Sequence, residues 1–327
     1  MKEEKSFFKK IAVILPVFNG GEFLSDSVKS VLEQENNDYE FIACDDASTD
    51  LSLAKLLELK SLFPENFTVI SNAKNEGLFR TLNKLIGSSK APLIHLWSQD
   101  DIMKPNCLTE CIKFHENHDN ISMSYHDTEY IDEKGEIIPN DKQDGTPTII
   151  TTSRYANISV RWGCIAGNIA NVTLKRSYLN KAGLFNEDLV VSGDFELWTR
   201  LASISNIGRN PEKLIYLRRH AGQFSRNYKS IFQRIQEDIA IHKKIIGLLP
   251  NKEQKIALRW WRWKTLTSYF NDLLFLLLRK EYVEFSKLLK LLKEKNNIFK
   301  ISMRWFLIRI MRLIKLDIYF YKKVLDR

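Results

Sequence analysis

Cysteine is scarce in this chain, and its spacing excludes more than its number does. Four cysteines occur in 327 residues (Cys44, Cys107, Cys111 and Cys164), with no CxxC pair and no zinc-finger spacing. Zinc-finger and CxxC redox motifs are excluded, and buried free thiols in a reducing compartment are expected. Long apolar runs are also missing. The charged first ten residues lead into an apolar run, 11–17, far too short for a signal peptide or an anchor. Residues 266–278 are strongly apolar but are broken by Ser268, Asn271 and Asp272, and cannot span a bilayer. No internal repeat or low-complexity segment occurs. What remains is a folded chain expected in the cytoplasm, long enough for two or three domains, with 44% hydrophobic and 27% charged residues.

Excess positive charge is confined to one end. The net charge is +9, yet residues 255–327 hold 18 Lys and Arg against 6 Asp and Glu. Residues 1–254 carry 31 basic and 34 acidic groups, a nearly balanced body with a basic, aromatic tail.

Four short runs rich in β-branched and aromatic residues, 11–17, 39–44, 67–71 and 92–97, read as strands. Between them, 22–34, 51–63 and 78–88 carry apolar residues at helical spacing, with Thr49 or Asp50 as the N-cap of the second helix. Alternation of this kind predicts an α/β fold with a mostly parallel sheet covered on both faces, and ligands beyond the C-terminal strand ends. Asn19, Asp45-Asp46, Asn75-Glu76-Gly77 and Asp100-Asp101 all fall at those ends. Further on, the pattern predicts a helix over 107–118, a strand over 121–125 and a hairpin through 132–135. Residues 163–174 mix glycine with β-branched residues and suggest a strand with close backbone approach. From about residue 230 the pattern is helical.

Asp100 and Asp101 directly follow a buried strand. Adjacent carboxylates repel unless a cation sits between them and a partner, and a divalent ion held by oxygen ligands and shared with phosphate is the common solution. The plainer reading is that they cap the helix after Pro105. Asp45 and Asp46 also read as turn residues ahead of a helix, Asp194 as a helix cap, and His115 with His118 as a solvated helix face.

The order of motifs resembles that of family 2 glycosyltransferases of the GT-A fold, of the type that assembles bacterial polysaccharides. Ile14–Asn19 is similar to their opening strand and turn, and Cys44–Asp50 to their DDxSxD segment. Asn75-Glu76-Gly77 is similar to the NxG turn, Ser98-Gln99-Asp100-Asp101 to the DxDD metal motif, and Gly193–Trp198 to the ED-x-(D/E)-L-W helix start. Residues 216–220 with Ser225 resemble a later YRxH…S element.

The resemblance implies an inverting transfer from a nucleotide diphosphate sugar, a UDP-sugar favoured, to an acceptor hydroxyl. Pro16, Phe18, Asn19 and Asp46 would line the nucleoside pocket, Asp46 accepting an imide N–H. Asn75, Gly77 and Gln99 would border it, and Arg80, Arg219 and His220 would complete the diphosphate clamp with Asp100. Asp100, Asp101 and His220 would hold Mg²⁺ or Mn²⁺. Asp194 would be the general base. Two positions depart from the pattern: Ser98 stands where the first acidic residue is usual, and Gly193 where Glu is frequent. The resemblance implies a GT-A domain over 1–228 (donor half about 10–105, acceptor half about 106–228), followed by a helical, basic region over 229–327.

In that region, a helical wheel of 301–325 places Arg304, Arg312, Lys315 and Lys322 opposite Phe306, Leu307, Ile310, Leu313, Ile314 and Ile318. Such a helix suits a membrane interface, and Arg259, Trp260, Trp261, Arg262 and Trp263 suit the headgroup layer. A helical bundle packing on the body or making a dimer is the alternative. Surface contact would make a polyprenyl-linked oligosaccharide the expected acceptor and place the protein peripherally on the inner face of the cell membrane. An inactive scaffold is the rival reading, suggested by Ser98; nucleic-acid binding through the tail is not expected, because no recognised binding motif occurs.

Overall fold

A computed structural model describes residues 8–140, 144–220, 222 and 230–313. They separate into two compact units, one holding the described residues up to Tyr155 and from Cys164 to Gly222, the other Ala156–Gly163 and the chain from Ser230.

In the first unit β1 (Ile11–Val17), α1 (Leu24–Leu32), β2 (Tyr39–Asp45), α2 (Ser52–Leu62), β3 (Phe67–Ser71), α3 (Leu78–Ser88) and β4 (Leu93–Leu96) alternate. There follow β5 (Ile102–Met103), α4 (Cys107–Asn117), β6 (Ile121–Ile131), β7 (Ile137–Ile138) and β8 (Ile149–Ile150). Next come α5 (Thr152–Trp162), β9 (Val172–Lys175), α6 (Arg176–Ala182), α7 (Gly193–Ile204) and β10 (Asn206–Arg218). α5 begins in this unit and contributes its residues from Ala156 to the other. The second unit continues with α8 (Ile231–Gly247), α9 (Asn251–Trp263), α10 (Thr265–Leu278), α11 (Tyr282–Lys295) and α12 (Ile298–Leu313).

One ten-stranded sheet runs β3-β2-β1-β4-β9-β6-β10-β5, with β7 on β6 and β8 on β10. It is parallel from β3 to β4 and again between β6 and β10, while β9 enters antiparallel between β4 and β6. β1 is apolar and almost wholly buried because helices cover both faces of the parallel half. Pro16 is tolerated in this central strand for a local reason. Ile14 accepts the Trp97 N–H on the β4 side, and the β1–β4 register ends at Ile14↔Leu96. The missing N–H of Pro16 therefore falls where no ladder partner stands. The strand order reverses between β1 and β4, which makes their C-terminal loops the switch point of the sheet.

Residues 163–174 do not form the expected strand. Only Val172–Lys175 pairs, and Gly163 and Gly167 have φ of +85° and +70° with open space where a Cβ would stand. Backbone conformation, not close approach, selects glycine there. His115 is not solvated, since it is buried with its Nε2 bonded to Ser124 Oγ, whereas His118 is half-buried with its Nδ1 on the Phe114 carbonyl.

The helical unit has its own core, in which Ile235, Ile241 and Ile245 of α8, Leu266, Leu273 and Leu276 of α10 and Leu288 and Leu292 of α11 are buried. The tryptophans expected in a headgroup layer are partly consumed by this core. Trp261 is buried, its ring 6.2 Å from that of His242, and the Trp260 ring carries Arg161 at 5.7 Å. Among the described residues no helix is long and apolar enough to cross a membrane. The wheel residues from Ile314 onward and Ser225 lie outside the described residues.

Candidate active site at the sheet switch point

The loops after β1 and β4 are tied to each other. Phe18 N–H donates to Gln99 Oε1 at 3.0 Å, and Gln99 Nε2 returns a bond to the Phe18 carbonyl at 3.2 Å. Asn19 sits at φ +51° and donates its N–H to Ser48 Oγ, while its Oδ1 accepts from the Thr49 N–H at 2.8 Å. Ala47, at φ +57°, turns the loop after β2 toward Asn19. Two non-glycine residues in the left-handed region on adjacent loops are uncommon, and such strain clusters at functional sites.

The two aspartates after β2 are used differently. Asp46 is buried and its carboxylate is committed inside the fold. Oδ1 accepts from Asn72 Nδ2 at 2.7 Å and from the Glu76 N–H at 2.8 Å, and Oδ2 accepts from the Gly77 N–H at 2.8 Å. Asp46 therefore shapes the 75–77 turn and the start of α3, where Gly77 has φ +90°. Asp45 is also buried, but only its Oδ2 is engaged, by the Ser48 N–H at 3.0 Å, and Oδ1 has no partner. A buried carboxylate oxygen without a donor is costly and marks a place for one. Asn75 is exposed; the buried asparagine is Asn72, whose Oδ1 accepts from Lys84 Nζ at 2.6 Å.

The third group lies between β4 and the end of β10. Ser98 Oγ donates to Asp100 Oδ1, and Asp100 Oδ2 is 2.9 Å from His220 Nε2. The His220 ring centroid is 5.0 Å from that of Phe23, and the Arg218 guanidinium stands over the same phenyl ring at 4.5 Å. Asp101 points inward: it is 2% exposed, and its Oδ1 accepts the Arg218 N–H at 2.8 Å. Burial, with the Asp100 charge beside it, holds the Asp101 carboxyl above the ordinary carboxylate range. Arg218 donates further to the Asp100 carbonyl, which locks β10 to the Asp100 loop. Carboxylate, imidazole and hydroxyl converge here, a donor set that fits a hard divalent cation.

Asp194 opens α7 and is half-buried, with its Oδ1 accepting the Phe195 N–H at 2.7 Å. Gly193 before it has a steric cause, since a Cβ there would lie 2.6 Å from the Phe79 ring. Glu196 is buried in an ion pair with Arg200, whose guanidinium also bonds the carbonyls of Gly183 and Leu184. Arg80 pairs with Glu187 at 3.1 Å on an exposed face, and Arg219 stacks on Tyr130 at 4.3 Å. These contacts draw Phe18 and Gln99 together beside Asn19, and Asp100 with His220, but engage Arg80 and Arg219 elsewhere. Asp45, Asn72, Ser98 and Arg218 complete these clusters. Asp45, Ser98 and Arg218 lie inside recognisable motifs; Asn72 does not.

A mixed α/β sheet with its polar residues gathered at the switch point, followed by helices, is the architecture of a GT-A glycosyltransferase. Residues 12–174 match the model of glycosyl transferase family 2, and the chain belongs to that family. It is 27% identical over 238 residues to the "uncharacterized glycosyltransferase" of Haemophilus influenzae, covering 72% of this chain and 71% of that protein. It spans only 35% of a Rickettsia felis relative to which it is 26% identical. By structure it is similar to S. aureus TarS 1–349 solved with UDP-GlcNAc (TM-score 0.55, 14% identity, 88% of this chain and 92% of that one). It is equally similar to the mannosyltransferase PcManGT of Pyrobaculum calidifontis solved with GDP-Man and Mn²⁺ (TM-score 0.55, 14% identity, 92% and 88%).

Proposed function

We propose that the protein is an inverting, metal-dependent glycosyltransferase. It transfers a sugar from a UDP-sugar to a hydroxyl of a lipid-linked glycan, at the cytoplasmic face of the membrane, in surface polysaccharide assembly. The observation that carries the reading is the convergence of Asp100, Ser98 and His220 at the switch point, together with the unpartnered oxygen of Asp45 at the end of β2. TarS and PcManGT, solved with nucleotide sugars, support the donor class, and the Mn²⁺ of PcManGT supports the metal.

Asp45, rather than Asp46, takes the nucleobase imide N–H, because its Oδ1 is the free buried acceptor. The Phe18–Gln99 clasp and Asn19 hold the loop that faces the nucleoside. Mg²⁺ or Mn²⁺ would be held by Asp100 and His220 and would offset the charge of the departing diphosphate. Asp101 acts through Arg218, bracing β10 so that His220 stands opposite Asp100. Asp194 takes the proton of the acceptor hydroxyl as its oxygen bonds the anomeric carbon from the face opposite the diphosphate. The bond from that carbon to the diphosphate oxygen breaks, and the nucleoside diphosphate leaves. Arg200 fixes the helix start that carries this base, through Glu196 and the 183–184 carbonyls.

The lipid-linked acceptor rests on α12. Phe299, Met303, Phe306, Leu307 and Ile310 are all exposed at helical spacing, an apolar stripe on a basic unit. Calorimetry with a panel of nucleoside diphosphates, with and without Mn²⁺, on wild type and Asp100→Ala tests the donor site. Metal-dependent binding of UDP that the variant loses is expected. Equal binding by both proteins would remove Asp100 from the site, and no binding at all would favour an inactive scaffold. Flotation with anionic liposomes tests α12, and failure to float would sink the membrane reading.

A further inference from the structure

Behind the sheet, away from any group given a role above, four metal-ligating side chains meet in the core of the first unit. His95 lies on β4, Cys107 and Cys111 one turn apart on α4, and His126 on β6. All four are buried, with exposures of 0%, 0%, 3% and 2%. One ring nitrogen of His95, one of His126 and the Cys111 sulfur lie within 4.8 Å of one another. Cys107 Sγ stands next to this trio, 3.9 Å from His126 Nε2. The two imidazoles stack with centroids 5.9 Å apart and planes inclined by 12°.

The outer partners select the tautomer that a metal needs. His126 Nδ1 is 3.0 Å from the Asp127 carbonyl, which only accepts, so Nδ1 carries the proton and Nε2 presents its lone pair toward Cys107. His95 Nδ1 is 2.9 Å from Thr173 Oγ1, and its Nε2 has no hydrogen-bond partner although the residue is completely buried. Metal-bound histidines have this arrangement, one nitrogen on the metal and the other donating to a carbonyl or hydroxyl. The thiols of Cys107 and Cys111 stand directly beside these rings.

We infer that His95, Cys107, Cys111 and His126 form a structural Zn²⁺ site. Two thiolates and two neutral imidazoles are the S₂N₂ set that favours tetrahedral zinc. Binding releases one proton from each thiol to solvent, and the two thiolates cancel the charge of the dication, so a neutral centre is what the core has to bury. Zinc–sulfur bonds of about 2.3 Å and zinc–nitrogen bonds of about 2.0 Å set ligand separations of roughly 3.3–3.8 Å. The Cys107–His126 pair is already near that range. His95, Cys111 and His126, within 4.8 Å of one another, would close on the ion by side-chain rotation, and Cys107, outside that trio, would turn in to complete it. The metal would clamp β4, α4 and β6 together. His95 and Cys107 flank the loop bearing Asp100 and Asp101, so the clamp would hold that loop at both ends.

The test uses the whole chain. Zinc is measured by elemental mass spectrometry after dialysis against metal-free buffer, on wild type, Asp100→Ala and a Cys107→Ser/Cys111→Ser double variant. About one equivalent of zinc is expected in the first two proteins and none in the third. Wild type is then unfolded with chelator and refolded with Co²⁺, which reports thiolate ligation through a sulfur-to-cobalt charge-transfer band. That band is expected in wild type and absent from the double variant. The cobalt spectrum is decisive even if the variant folds poorly: no charge-transfer band in wild type overturns the assignment, as does a band that survives loss of both cysteines.

Discussion

Asp45 and Asp46 are adjacent, both buried and both acidic, yet their contacts demand opposite responses to the same substitution. In Asp46→Asn the amide retains one acceptor oxygen and turns its NH₂ toward a donor. Either the Gly77 N–H or the Asn72 and Glu76 donors then face another N–H. One buried donor left without an acceptor costs about 1–3 kcal/mol, and the remaining bonds lose their charge assistance, so a total of roughly 2–4 kcal/mol is expected. For a unit of this size that lowers Tm by roughly 5–12 °C. Asp45→Asn behaves otherwise. Its amide oxygen can keep the Ser48 bond while the NH₂ occupies the unpartnered position, so Tm should stay within about 2 °C. The nucleobase N–H would now meet a donor, and UDP binding should weaken by about 2–3 kcal/mol, roughly 30- to 150-fold in Kd. Thermal unfolding without nucleotide and calorimetry with UDP read the two effects separately. An Asp46→Asn protein with unchanged Tm, or an Asp45→Asn protein with unchanged Kd, would refute the division of labour.

Gly193→Ala should destabilise by about 1–3 kcal/mol through its clash with Phe79, and Phe79→Leu should rescue part of that loss. Strict additivity in the double-mutant cycle would show that the ring is not the obstacle. His220→Ala should weaken Mn²⁺-dependent UDP binding by at least about tenfold while leaving metal-free binding unchanged, since the imidazole faces Asp100 and not the nucleoside loops; equal loss in both conditions would place His220 elsewhere. His115 is buried, and its pKa is lowered to about 4 by that burial. The unfolded chain therefore binds its proton first as pH falls. Stability from this group is complete above about pH 6.5 and declines toward pH 4, by about 3 kcal/mol over the window. Urea unfolding of His115→Gln should lack that share of the slope, and a wild-type profile in the variant would refute it.

Much of the parallel half was legible because its strands are buried on both faces and read as continuous apolar runs. Ile11–Val17 and Phe67–Ser71 have the bounds that composition alone suggested. β5 was not legible, since two residues carry no periodicity and their pairing with Ile215 and Tyr216 is set by tertiary contact. Nor could a pattern distinguish Asp45 from Asp46. Asp45 ends the strand and Asp46 begins the loop, and that one-residue difference decides which carboxylate meets Asn72 and the 76–77 amides. The resemblance to family 2 located Gly193, but the reason for glycine lies on α3, in the Phe79 ring. The His95, Cys107, Cys111 and His126 group has no linear signature at all, because strand, helix and strand each supply a part.

The Asp101–Arg218 bond spans 117 positions of sequence, and the Asp100–His220 contact spans 120. During synthesis, strands β1 to β4 can emerge and pair long before residue 218 leaves the ribosome. The loops after β1 and β2 can therefore form in a growing chain well ahead of the imidazole that completes the cluster around Asp100. If the site binds a nucleotide sugar as proposed, a translation fragment ending before β10 would keep the loops proposed for the base but lack His220. Such a fragment is then expected to bind nucleotide weakly and to transfer no sugar.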